Sequence, residues 1–368
     1  MNTRQEITDL TICRAFFAAW VFIYHVDLYL NFSAFLGPFA GLIRHGYLGV
    51  DGFFMLSGLI LARVHPELAR SPAGAFKFWG KRLARIYPVH LATILIFAAI
   101  FSIGLAHGIT PRDPARFSLS SLVQNLFLVH GWGFASQGAW NYPSWSVSTE
   151  WAGYLLFPVF WLIVSYFDSY VAIQFVIIGF ALLGLIITKH DNNLNLTFSD
   201  GLIRFFPEFI MGLSTARFVP RFADIWPLKS LAIIGVVLVP LGVALGFDLL
   251  ALAGIWLVLF ALTMQADAER PAFLGRAALL RRFGLLSYSF YMSFAVAELL
   301  LSQWFRHQGW TPPSHAVVFA AGMLAITLVL AVFLHITIEV PCRRRVDIWL
   351  KQDVPPAKQQ FPIQGKPF

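Results

Sequence analysis

Charge is what this sequence has least of. Asp, Glu, Lys and Arg make up 12% of the 368 residues, 58% are hydrophobic, and the mean hydropathy is +0.69. A soluble domain carries roughly 25% charged residues. Half that share cannot cover a globule against water, so much of the surface must face lipid. Cysteine is almost missing too: Cys13 and Cys342, near opposite ends, exclude a disulfide-rich scaffold. There is no phosphate-binding glycine loop, no H-E-x-x-H and no Cys-x-x-Cys, and "GLLSYS" is not a nucleophile elbow. No metal site is expected.

What the chain has instead is long apolar runs. A membrane-spanning helix needs about 20 mostly apolar residues. On that rule ten candidates stand out: 10–30, 46–63, 86–106, 148–166, 169–187, 201–217, 230–246, 249–265, 284–303 and 315–337. The stretch 120–132 is too short to cross and reads as a re-entrant or interfacial helix. The first run lacks a small-residue cleavage site and reads as a retained helix. The expectation is an all-α polytopic membrane protein, about ten transmembrane helices in a single bundle. One membrane domain would cover 1–350, followed by a proline-rich, disordered cytoplasmic tail, 351–368.

The net charge of +8 raises the question of nucleic acid. Ten spans answer it. The two termini and the loops on their side carry 20 of the Lys and Arg residues, the opposite loops 6, and Arg14 lies inside the first run. Basic residues collect on the cytoplasmic side. Both termini are therefore expected in the cytoplasm, and no nucleic-acid partner is needed to explain the excess.

Ionisable groups within the apolar runs are costly and point to function. Arg14 and His25 are eleven residues apart, a net rotation of about 20° on a helix and about 16 Å along its axis. They share one face and mark a track across most of the bilayer. His25 either hydrogen-bonds within a packed bundle or, as a neutral imidazole, takes a proton from a hydroxyl. Asp27 points away from it. Asp51 has no sequence-local partner, whereas Ser57 and the nearby Gly49, Gly52 and Gly58 fit close helix packing. Arg82 and Arg85, at i and i+3, are ordinary flanking charge or a fork suited to phosphate. Glu150 is a first-turn acid without a capping box, Val147 standing where Ser or Thr would be needed. On the expected topology it lies at about the depth of His25 and could orient that imidazole. Glu208 and Glu298 also fall in or near spans, and Glu339 with Arg343 at i+4 reads as a cytoplasmic helix-end ion pair.

Seven short motifs occur in order: Arg14 and His25 as R-x(10)-H, "GVDGFFMLSG" at 49–58, "KRLARIYP" at 81–88, "WSVSTEW" at 145–151, "EFIMG" at 208–212, "LLSYSFYM" at 285–292 and "IEVP" at 338–341. Together they resemble the acyltransferase-3 family of bacterial integral-membrane acyltransferases. The resemblance implies a ten-helix domain of the bacterial inner (plasma) membrane. It would move an acyl group, often acetyl, from cytoplasmic acyl-CoA to a hydroxyl on the outer side. Acceptors in the family are mostly carbohydrates: O-antigen, exopolysaccharide, peptidoglycan or glycolipids, with small molecules in some relatives. By the family pattern His25 is the essential histidine, Arg14 its motif partner, Arg82 and Arg85 the pair proposed to hold CoA, and Glu150 the acid of W-S-x-S-x-E. One departure stands out: Phe294 occupies the place where the family commonly has His. The alternatives are a proton-coupled transporter or flippase of a glycan or small molecule, and a receptor-like module in which His25 only packs.

Overall fold

The computed structural model describes residues 8–66, 71–109, 113–135, 137–222, 228–268, 274 and 277–352. Most of the expected tail, from 353 onward, lies outside the described residues. Among the described residues every regular element is helical. In chain order these are α1 (Thr8–Leu30), α2 (Ala40–Arg44), α3 (Leu48–Val64), α4 (Pro72–Ala106), α5 (Leu119–Leu126), α6 (Trp145–Tyr166), α7 (Ser169–Lys189), α8 (Gly201–Phe222), α9 (Leu228–Leu245), α10 (Asp248–Asp267), α11 (Ala278–His307), α12 (Ala316–Leu334) and α13 (Val340–Gln352). A π-helical turn, His335–Glu339, joins α12 to α13.

Each of the ten expected spans falls on one long helix: α1, α3, α4 and α6 to α12. Seven helical stretches are long and apolar enough to cross a membrane by themselves, and the bent pair Gly37–Arg44 and Leu48–Val64 would make an eighth. The remaining two are α9, which is apolar but shorter, and α8, which carries Arg204, Glu208, Arg217 and Arg221. Lipid-facing rows of large apolar side chains follow directly, for example Ile177, Leu185, Val236, Val329 and Phe333. The protein is an all-α polytopic membrane protein.

Glycines set how closely the central helices approach. Cβ atoms added at Gly58 of α3 or Gly212 of α8 would collide with the backbone carbonyls of Phe209 and Met55 respectively. Gly52 lies against the Phe17 ring of α1, and Gly284 of α11 against the Thr11 carbonyl. Small residues let backbones touch where lipid supplies no hydrophobic drive for association. That contact brings α1, α3, α8 and α11 together around one interior.

Asn125, Leu128 and Asn141, between α4 and α6, are tied into the bundle. His90 Nε2 donates to the Asn125 carbonyl at 2.9 Å, and Asn141 Nδ2 donates to Thr93 Oγ1 at 2.9 Å and the Met292 carbonyl at 3.0 Å. Ser148 Oγ donates to the Leu128 carbonyl at 2.7 Å. Residues 144–149 are buried as α6 begins. This helix therefore starts inside the protein and not at its outer surface, which changes where Glu150 sits.

Candidate functional site

The interior of the bundle holds a cavity of about 740 Å³, its open mouth included. Arg14 of α1, Ser57 of α3, Arg82 and Arg85 of α4, Glu150 and Tyr154 of α6, and Ser287, Tyr288 and Tyr291 of α11 all line it. Four of the five expected site residues, Arg14, Arg82, Arg85 and Glu150, thus share one wall-to-wall space.

Each is set by its helix. Arg14 Nε donates to Ser287 Oγ at 3.2 Å, so the serine of the "LLSYSFYM" stretch orients the arginine of the first motif. Ser289, two residues on, donates to Glu339 Oε2 at 2.8 Å, and Tyr288 donates to the Ile86 carbonyl. Arg82 Nη2 donates to His65 Nε2 at 2.7 Å. Arg85 lines the cavity with no hydrogen bond or ion pair to any described residue, although Glu150 and Glu339 lie within electrostatic reach of it. Three guanidinium groups facing one lining carboxylate make the cavity net positive. Such a space favours an anionic ligand, since unpaired cations away from bulk water lack compensation.

Glu150 is held by Ser57 Oγ at 2.7 Å and Tyr154 OH at 2.5 Å, both donating to Oε1. The expected pairing of Glu150 with His25 is not what the structure holds. Because α6 begins with the buried residues 145–149, Glu150 sits inside the bundle among the arginines. Ser57, expected only to pack, is a cavity residue.

His25 stands apart from this space. Its Nδ1 lies 2.8 Å from the Val21 carbonyl, which only accepts. Nδ1 therefore carries the hydrogen and Nε2 keeps its lone pair, the state a general base requires. The imidazole packs on Phe294 at 4.5 Å between ring centroids and on Tyr142 at 5.8 Å. Phe294 in turn meets Tyr291 of the cavity wall at 5.5 Å. An aromatic pair thus separates His25 from the arginine cavity. Near His25, Glu298 accepts from Tyr29 at 2.6 Å and Tyr142 at 2.7 Å.

Asp51 does have a partner, one that the sequence did not disclose. Arg204 of α8 grips it with Nε to Oδ1 at 2.6 Å and Nη2 to Oδ2, and donates to the Tyr47 and Leu196 carbonyls at 3.0 and 3.1 Å. Both side chains are fully buried. This is a strut between α3 and α8. Asp27 accepts from the Ser33 backbone N–H at 2.8 Å and closes the turn after α1. Glu339 meets Arg343 at 3.6 Å, as the i+4 spacing suggested. Among the described residues no group of three His, Cys, Asp or Glu is arranged to hold a metal ion.

A helical membrane protein with an arginine-lined internal cavity is the class this arrangement defines. The sequence model of the acyltransferase-3 family, described as an acyltransferase domain, matches residues 7–332, and the chain belongs to that family. Among characterised relatives, an acyltransferase of Streptomyces mycarofaciens, MdmB, is 39% identical over 127 residues, 32% of this chain and 29% of that protein. The O-acetyltransferase OatA of Staphylococcus aureus is 27% identical over 173 residues, 43% of this chain and 25% of its own. The matched regions thus span between a quarter and a third of those relatives. No solved structure matches the chain.

Proposed function

We propose that the protein is an acyl-CoA-dependent O-acyltransferase of the bacterial inner membrane, with both termini in the cytoplasm. It moves an acyl group, acetyl first among candidates, from cytoplasmic acyl-CoA to a hydroxyl of a carbohydrate or glycolipid on the opposite side. The observation that carries this is the convergence of Arg14, Arg82 and Arg85 on one internal cavity with a single lining carboxylate. Membership in an acyltransferase family supports the reaction class.

In this account Arg82 and Arg85 hold the phosphates of CoA, and the pantetheine arm enters between the helices past Arg14. The Tyr291–Phe294 pair moves aside so that the thioester reaches His25. The Nε2 lone pair of His25 accepts the proton of the acceptor hydroxyl as its oxygen attacks the thioester carbon. The carbon–oxygen bond forms, the carbon–sulfur bond breaks, and the proton passes to the departing CoA sulfur. Glu150, fixed by Ser57 and Tyr154, balances the arginines that hold the donor.

The test is binding of radiolabelled acetyl-CoA to the full chain in lipid nanodiscs. Wild type is expected to bind, and Arg82→Ala/Arg85→Ala to lose roughly 10-fold or more, as expected for loss of charge-assisted phosphate contacts. A folded wild type that does not bind acetyl-CoA would overturn the assignment.

A further inference from the structure

Arg82 and Arg85 border two spaces at once. Behind the inner cavity lies a second concavity of about 500 Å³, bounded by His65 at the end of α3, Lys81, Arg82 and Arg85 of α4, and Arg343 and Asp347 of α13. Four cations face one carboxylate. His65 adds no positive charge: burial, then Arg82, Lys81 and Arg85, push its imidazole down to about 3, and its Nε2 already accepts from Arg82.

The donors here are largely unspent. Arg82 Nε is buried with no partner, and Arg85 bonds to no described residue. Among the described residues the one ion pair of Arg343 is with Glu339 Oε1, at 3.6 Å, while the other oxygen of that carboxylate already takes Ser289 and His335. The Arg343 side chain is 45% exposed, so its fork is open to a ligand. Guanidinium forks with unused N–H groups around a concave basic surface suit phosphate. Residues 81–85 lie within the part matched by the family model, but Arg343 and Asp347 lie beyond its end at 332.

We propose that Arg343, with Lys81, binds the 3′-phosphate of the CoA moiety while Arg82 and Arg85 take its diphosphate, making α13 a determinant of donor specificity. The inference rests on acyl-CoA being the donor. Arg82 and Arg85 line both spaces, whereas Lys81 and Arg343 line the second alone, which matches the order in which a CoA threaded arm-first presents its diphosphate and then its 3′-phosphate. Asp347, one turn from Arg343, lowers the net positive charge of this space without cancelling it.

The experiment compares acetyl-CoA with acetyl-dephospho-CoA, which lacks only the 3′-phosphate, on the full chain in nanodiscs. Wild type is expected to prefer acetyl-CoA by roughly 10-fold, one charge-assisted contact. Arg343→Gln should lose most of that preference by weakening acetyl-CoA alone, and Arg343→Lys should restore part of it. Equal discrimination by wild type and a folded Arg343→Gln would overturn the role of Arg343, as would a wild type that binds both donors equally. A folded wild type that binds neither would fail at the level of the donor itself, a different result from either.

Discussion

Ser57 and Glu150, 93 residues apart in sequence, meet through a 2.7 Å hydrogen bond across the boundary of α3 and α6. The same carboxylate oxygen takes Tyr154, so the charge is held still on one side and faces the arginines on the other. Glu150→Gln keeps the shape and removes the charge. The KM for acyl-CoA is expected to fall, because the arginines lose their local counter-charge and hold the donor phosphates more tightly. A raised KM would contradict this placement.

The buried Asp51–Arg204 pair makes a prediction about folding. Removing one partner strands the other charge, which costs about 3–5 kcal/mol. Arg204→Ala should therefore lower the melting temperature sharply or abolish the folded yield in detergent. A melting curve matching wild type would show that the strut is dispensable.

Close contact of α3 and α8 is testable by adding one carbon. Gly58→Ala would overlap the Phe209 carbonyl, and overpacking costs typically about 1–3 kcal/mol. Gly184→Ala, whose new carbon would meet only Leu249 at an ordinary 3.5 Å, should be tolerated. The two variants differ in thermal stability if the crossing is as tight as described.

His65 gives a pH dependence with a defined sign. Folding lowers its pKa from about 6.5 to about 3. Within that window the unfolded chain binds a proton that the folded protein does not, so stability rises with pH and is lost as pH falls from 6.5 towards 3. His65→Asn keeps an acceptor for Arg82 but does not titrate. Between about pH 7.5 and about pH 5 the wild-type melting temperature should fall further than that of the variant. Equal falls would show that His65 contributes nothing to the acid side of the profile.

Helices were the most legible part of the sequence, because apolar length alone decides whether a segment can cross lipid. Arg14, Arg82 and Arg85 stood out for the same reason: a charge inside or beside an apolar run is costly enough to notice. Partners were not legible. Arg204 pairs with Asp51 across 153 residues, and no local periodicity records a contact between distant helices. The depth of Glu150 was not legible, since nothing in its own helix shows that α6 begins inside the bundle. Ser57 looked like packing because a serine among glycines carries no sign of a carboxylate opposite it.

The central claim is that donor binding and proton transfer are divided between the arginine cavity and His25. The most direct measurement records acetyl-CoA binding and labelled glycan product together, in nanodiscs with a glycan extract from the host, for wild type and His25→Ala. The account predicts that His25→Ala binds the donor as wild type does and forms no labelled product. Product formation by His25→Ala at the wild-type rate would contradict it.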